Sequence, residues 1–215
     1  MRSYKVLEMI NTNRIEELKQ ILKDEVYEES LKKNQGAKQR YAAMKRYFGY
    51  YQSSREVLQK PCEVEFECKK YVSFCNSYSL ALTTEDIGEI KLLDDPSRYP
   101  DVTRLIRFDG DEQEVDFNKV LADAKSKGYR LNKKEVSAGY KYLIEFNGSY
   151  YKAGLLDATL GIINDGKPVI TYKAKGSNKP LTIRNDIGVC MIMPVRYDGN
   201  PEDDGFTVIK VGDIK

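Results

Sequence analysis

The strongest constraint on the fold lies in residues 179–197, KPLTIRNDIGVCMIMPVRY. Leu181 and Ile183 alternate with Thr182 and Arg184, the period of a strand with one buried face. Asn185 and Asp186 open a turn and Gly188 closes it. From Val189 to Val195 the chain is almost wholly apolar, as in a strand buried on both faces. Pro194 ends the pairing, because proline has no N–H to give a ladder.

The rest of the chain has to build around that sheet. Its 215 residues suffice for one large domain or two small ones. With 32% charged and 41% apolar residues the composition is that of a soluble globular protein. No apolar run approaches the roughly 20 residues of a membrane span. Residues 1–13 lack the apolar run of a signal peptide, so a cytoplasmic location is expected. Cys62, Cys68, Cys75 and Cys190 form no C-x-x-C pair and fall in strand-like runs, which predicts reduced, mostly buried thiols. There is no histidine. That removes Ser-His-Asp and Cys-His catalysis and any histidine-based metal site, and no cofactor is expected. The net charge of +2 is nearly neutral, so any basic surface must come from local clustering.

Residues 1–60 read as helical. Leu7, Ile10, Ile15, Leu18, Ile21 and Leu22 follow helical spacing, and Thr12 or Asn13 can cap a helix, with Glu16 as a capping-box partner. Asn34, Gln35 and Gly36 look like a helix end. A second helix is predicted over residues 37–58, stopping before Pro61. It carries Lys38, Arg40, Lys45, Arg46 and Arg55 among Tyr41, Tyr47, Phe48, Tyr50 and Tyr51. Cations among aromatics supply phosphate contacts and base stacking. The same pattern also serves an amphipathic helix with its aromatics in a core and its cations in water.

From Cys62 the period becomes two, with Val64, Phe66 and Cys68 alternating with glutamates. Residues 71–84 read as two strands around Asn76 and Ser77, and residues 94–106 as a linker. An amphipathic helix follows over residues 115–128, with Phe117, Val120, Leu121 and Ala124 on one face. Residues 140–146 predict a strand, 147–163 a helix capped by Asn147 or Ser149, and 169–173 a strand.

Four of these segments resemble the bacterial DNA sliding clamp, the beta subunit of DNA polymerase III. Pro180, Ile183, Met193, Pro194 and Arg196 match its closing "P-x-x-I … MPxR" strand pair. Leu80, Ala81 and Leu82 match its "ATDGHRLAL" turn and strand, where Asn76 and Ser77 stand for Asp-Gly, Tyr78 for the histidine and Ser79 for the arginine. Tyr99, Pro100, Asp101, Arg104, Leu105 and Ile106 match its interdomain "G-x-F/Y-P-D-Y-x-R-V/L-I/L" segment in order. Phe146, Asn147, Ser149, Tyr150 and Leu155 match the "FNxxYL … L" run leading into its last helix. The resemblance covers roughly residues 62–197.

It implies an α+β protein with a DNA-clamp-like domain: repeated βαβββ half-domains whose antiparallel sheets pack on helices. On that basis residues 1–60 form an N-terminal helical segment. Residues 61–215 form the clamp-like domain, with a strand extension after 197. The implied function is non-catalytic. It would be a clamp-like protein of DNA replication or of a mobile element, in the class of processivity factors, binding clamp-binding peptide motifs of replication proteins. Carried over residue by residue, the wall of the peptide pocket is Tyr78, Leu80, Pro100, Leu105, Met191, Met193 and Pro194. The alternative partner is double-stranded DNA, held by Lys38, Arg40, Lys45, Arg46 and Arg55 or inside a homo-oligomeric ring.

Three further alternatives stay open at this level. The pocket residues also suit an ordinary core filled by the chain itself. The strand-like residues 206–211 either add to a sheet edge or lie over the pocket. Asp101 with Arg104, and Asp109 with Asp111 and Glu112, are carboxylate-bearing loops that read as surface turns, so catalysis is not expected. The acidic run 198–204 lacks EF-hand spacing and reads as a solvated turn.

Overall fold

A computed structural model describes residues 19, 35–50, 53–88, 90–131, 141–174 and 176–213. The predicted helix over residues 7–22 and its caps at Thr12, Asn13 and Glu16 lie outside the described residues. The chain divides into two compact units, residues 1–38 and 39–215. Every element below belongs to the second, apart from the first turn of the helix Gln35–Tyr50.

The fold is mixed α and β, as the sequence predicts. Helix α1 spans Gln35–Tyr50. Strands β1 (Cys62–Phe66), β2 (Lys69–Cys75) and β3 (Ser79–Thr83) follow. Then come β4 (Asp111–Val115), α2 (Phe117–Ser126), β5 (Tyr142–Phe146) and β6 (Ser149–Lys152). Helix α3 (Ala153–Ile163) leads to β7 (Val169–Lys173), β8 (Leu181–Asn185), β9 (Gly188–Ile192) and β10 (Thr207–Lys210). Seven strands form one antiparallel sheet in the order β1-β2-β3-β9-β8-β7-β4, and β10-β5-β6 form a smaller one.

Strand β9 sits in the middle of the large sheet, between β3 and β8, and all five of its residues are buried. That is why it reads as an unbroken apolar run. The β8–β9 turn is made by Asn185. Its Oδ1 accepts the amides of Ile187 (3.2 Å) and Gly188 (3.0 Å), while its Nδ2 donates to the Ile163 carbonyl (2.6 Å) and ties the turn to the end of α3. Gly188 is required by space: a Cβ there would lie 2.3 Å from the Leu82 carbonyl oxygen.

Each face of the large sheet has its own core. On one face Ala81, Leu181, Ile183, Cys190 and Ile192 pack with Leu155, Leu156, Leu160 and Ile163 of α3, which is apolar almost all round because it is enclosed. Helix α1 packs on α3 where Gly161 meets Ala43. Beside it Tyr47 is fully buried and donates its hydroxyl to the Ser79 carbonyl (3.0 Å). The Ser79 hydroxyl accepts in turn from Thr159 (3.0 Å), so this core carries a satisfied polar chain. On the other face Tyr71, Cys75, Leu80, Leu82, Val189 and Met191 are covered by Leu58, Tyr99, Val102 and Ile106.

That cover is the segment read as a linker. Two short 3-10 turns, Pro96–Arg98 and Val102–Leu105, fold it onto the sheet. Tyr99 is buried, with its hydroxyl 3.1 Å from that of Ser73, and burial pushes its pKa upward.

Several boundaries differ from expectation. Among the described residues helix α1 runs from Gln35 to Tyr50, Ser53–Arg55 are not helical, and Glu56–Leu58 form only a 3-10 turn. The Ser53 hydroxyl instead accepts the Arg55 amide (3.1 Å), and Leu58 drops into the second core. The predicted boundary near 60 falls beyond the 38/39 division, since Met44 and Tyr47 belong to the main core. Asn147 and Ser149 do not cap a helix. Asn147 and Gly148 take φ of 47° and 70°, the turn of the β5–β6 hairpin, and α3 starts only at Ala153. Cys68 lies in the β1–β2 turn and is exposed, unlike the other three thiols; all four are free. Strand β4, read as a loop, pairs with β7 along its whole length. Among the described residues no helix is long and apolar enough to cross a membrane.

Candidate functional site

Register decides which of the predicted pocket residues meet. In the β3–β9 ladder Leu80 faces Met191, and the Met193 amide donates to the Tyr78 carbonyl (2.9 Å) one step beyond the strands. Side chains directly opposite in a ladder share a face, so Leu80 and Met191 lie on one side of the sheet, with Tyr78 and Met193 just past the ends of the two strands. It is the side covered by the 94–108 segment. Leu80 and Met191 are buried under it, whereas Tyr78 is 60% and Met193 40% exposed. Leu105, at the end of the second 3-10 turn, is 52% exposed. These three are the large hydrophobic side chains left exposed among the described residues.

A cavity of about 220 Å³ opens where the cover ends. Leu105 and Met191 line it together with Tyr172, Thr182 and Pro180. Thr182 faces Met191 across β8–β9, and Tyr172 faces Thr182 across β7–β8, so its floor is one cross-strand row. Arg107, Asp109 and Lys179 stand at its rim, all exposed. Beyond it Phe108 closes the face, its ring 4.9 Å from that of Tyr172 and 5.1 Å from the Arg184 guanidinium. At the other end of the patch the half-buried Lys152 amine sits 5.4 Å from the Tyr78 ring centroid, and burial lowers its pKa. Pro100 is exposed on the cover segment, and Pro194 is half-buried just past Met193.

The structure thus brings Leu105 and Met191 into one cavity and Leu80 beside Met191 in the ladder, while Tyr78, Met193, Pro100 and Pro194 do not line that cavity. Tyr172, Thr182, Pro180, Arg107 and Lys179 join Leu105 and Met191 there without having been predicted. Thr182 and Tyr172 follow from Met191 once the β7–β8–β9 register is known. The irregular residues 176–180 before β8 hide that register from the sequence.

The basic residues are not gathered in the same way. Arg40 is buried and paired with Glu85, and its Nε has no hydrogen-bond partner. Lys45 and Arg46 are exposed on α1, with the Lys45 amine 4.3 Å from the Tyr41 ring centroid and Arg46 Nε bonded to the Ala42 carbonyl (3.2 Å). Arg55 is exposed but lies past the helix, as the cap of the 3-10 turn Glu56–Leu58. Lys38 is exposed and belongs to the first unit.

Of the loop carboxylates, Asp101 has clear structural partners. Asp101 accepts the Thr103 hydroxyl (2.6 Å) and pairs with Arg104 (2.7 Å), contacts that hold its pKa low. Asp111 and Glu112 lie on the edge strand β4. Residues 206–211 do not cover the cavity: β10 pairs in parallel with β5, at the edge of the smaller sheet.

No protein-family model matches this chain. Nor does any curated protein match it.

Proposed function

We propose that the chain is a non-catalytic peptide-binding protein of the sliding-clamp type, acting in DNA replication or in a mobile element. One observation carries the reading. The large apolar side chains exposed among the described residues are Tyr78, Leu105 and Met193, and all three belong to the pocket that the clamp resemblance implies. Large apolar groups left in water are the usual mark of a docking site, and one of the three, Leu105, lines the cavity. The element order gives further support: after β5 and β6 come a helix and three consecutive antiparallel strands, close to the βαβββ half-domain of a clamp.

Energetics fit a short peptide. Seating a leucine and a phenylalanine side chain gains about 1.5–3 kcal/mol each. After the ordering cost, a dissociation constant of about micromolar is expected. Met191 in the cavity floor and the exposed Met193 suit a surface that adapts to different side chains.

The test is titration with a fluorescent peptide of the Gln-x-x-Leu-Phe kind. Binding near micromolar that disappears in Met193→Asp supports the pocket. No binding to the wild-type chain overturns it. In that case salt-dependent binding to duplex DNA, lost in Lys45→Glu/Arg46→Glu, becomes the reading to pursue.

A further inference from the structure

Ala174, Lys179 and Pro180 form one wall of the cavity and come from the irregular run between β7 and β8. Among the described residues of that run none pairs in a ladder, so its course is fixed by other contacts. We infer that Lys173 is the positioning residue of this wall, its buried ammonium gathering main-chain carbonyls as a bound cation would, a role that rests on the peptide-pocket reading above.

Alternation along β7 puts Lys173 on the face of Val169 and Thr171, opposite the floor residue Tyr172. It is 2% exposed. Its Nζ donates to the carbonyls of Asn147 (2.6 Å), Gly176 (2.9 Å) and Ala174 (3.3 Å). An ammonium group has three protons to give, and main-chain oxygens take them all. No carboxylate pairs with it among the described residues, and Glu145 acts on it only through space.

Ala174 and Gly176 lie at the start of the wall, whereas Asn147 belongs to the β5–β6 turn. The ammonium therefore fastens the wall to the small sheet. Its far end is fastened likewise, by the Tyr151 hydroxyl donating to the Lys179 carbonyl (2.6 Å). The main chain of Lys173 is itself held close to β4, since a Cβ at Gly110 would lie 2.2 Å from its carbonyl oxygen. Burying a charge without a counter-charge is unfavourable, and a methionine of similar length would fill the space without that penalty. What methionine cannot do is draw three carbonyls to one point.

Lys173→Met keeps the stem and removes the donor. Lys173→Ala removes the stem as well and leaves room for propylammonium. In both, hydrogen–deuterium exchange over residues 174–180 is expected to quicken severalfold, while exchange in β9 stays as in the wild type. A fluorescent peptide of the Gln-x-x-Leu-Phe kind is expected to bind about 3–10-fold more weakly, because the wall must then be ordered on binding. Propylammonium restores both properties in Lys173→Ala, and neutral propanol restores neither. A side chain that only filled space would be replaced well by methionine, and propanol would serve as well as propylammonium.

Unchanged exchange in Lys173→Met overturns the role and leaves the pocket standing. So does quickened exchange with unchanged affinity, or equal rescue by propanol. Where neither variant folds, the wild-type chain decides. The Nζ nitrogen resonance of Lys173 should shift when peptide fills the cavity on the opposite face, and an unmoved resonance overturns the role. Failure of the peptide to bind the wild-type chain overturns the pocket and the positioning role together.

Discussion

Leu80 and Met191 face each other across the β3–β9 ladder and are buried, while Tyr78 and Met193, two residues on and just past the strand ends, stand in water. The chain passes there from core to surface without changing its apolar character. Stability and binding should therefore separate by position. Leu80→Ala removes a fully enclosed side chain and is expected to cost about 2–4 kcal/mol in urea unfolding. Leu105→Ala and Met193→Ser should change stability by no more than about 0.5 kcal/mol and weaken peptide binding at least severalfold. If the surface variants unfold the protein as Leu80→Ala does, the three exposed residues belong to the core after all.

Gly188 offers a sharper structural test. A Cβ there would meet the Leu82 carbonyl oxygen at 2.3 Å and Ile163 Cγ2 at 2.5 Å. The first contact is backbone in the neighbouring strand, so relief requires β3 and β9 to part. Gly188→Ala is expected to lower stability by about 1–3 kcal/mol or more, measured by thermal unfolding. Gly49→Ala controls for composition, since its position in α1 has open space and no left-handed φ.

Both edges of the large sheet are acidic. Glu63 and Glu65 are exposed on β1, and Asp111, Glu112 and Glu114 on β4. A head-to-tail ring or filament built by pairing β1 of one copy with β4 of the next would set these acids against one another. Light scattering should find a monomer at moderate salt. Glu63→Lys/Glu65→Lys makes the edges complementary and should introduce concentration-dependent association. An unchanged monomer in that variant would mean that edge charge is not what keeps copies apart.

Alkaline pH should unfold the protein earlier than acid–base neutrality suggests. Burial pushes the Cys75 thiol from its ordinary value near 9 to about 11, raises Cys190 further, and raises Tyr47, Tyr99 and Tyr151. These groups stay protonated in the folded chain after they begin to ionise in the unfolded one. The native state then holds more protons, so stability falls with rising pH. Their contribution is complete below about pH 9 and is lost progressively above it. With no histidine present, the urea midpoint should be nearly flat from about pH 6 to 8.5 and decline beyond. A midpoint constant to pH 10.5 would contradict this account.

Much of the sheet could be read from the sequence, because burial there imposes a period. Strand β7 and the turn at Asn76 lie where the sequence puts them, and the buried face of α2 is the predicted Phe117, Val120, Leu121 and Ala124. Where burial does not impose a pattern the reading fails. In β4 only Val115 is buried, so Asp111–Val115 shows no alternation. The β1–β2 turn places Glu67 and Cys68 at φ of 50° and 60°, a conformation forced by the pairing of its strands rather than signalled by glycine or asparagine. At Asn147–Gly148 the hairpin signal is present, but the likeness to a helix-leading motif outweighs it. The candidate site divides in the same way. Its apolar members follow from motif and parity, while Arg107 and Lys179 come from irregular segments whose course only the fold reveals.

The residues around Pro194 join more than one part of the molecule. Met193 gives its amide to Tyr78 in the large sheet, and Val195 gives its own to the Tyr150 carbonyl of β6 in the small one (2.7 Å). Proline has no amide to leave unpaired between them. The chain is thus riveted on either side of a residue that needs no bond. A ligand leaning on Met193 therefore presses on the rivet, and slower amide exchange at Val195 would let the small sheet register, at a distance, whether the pocket is full.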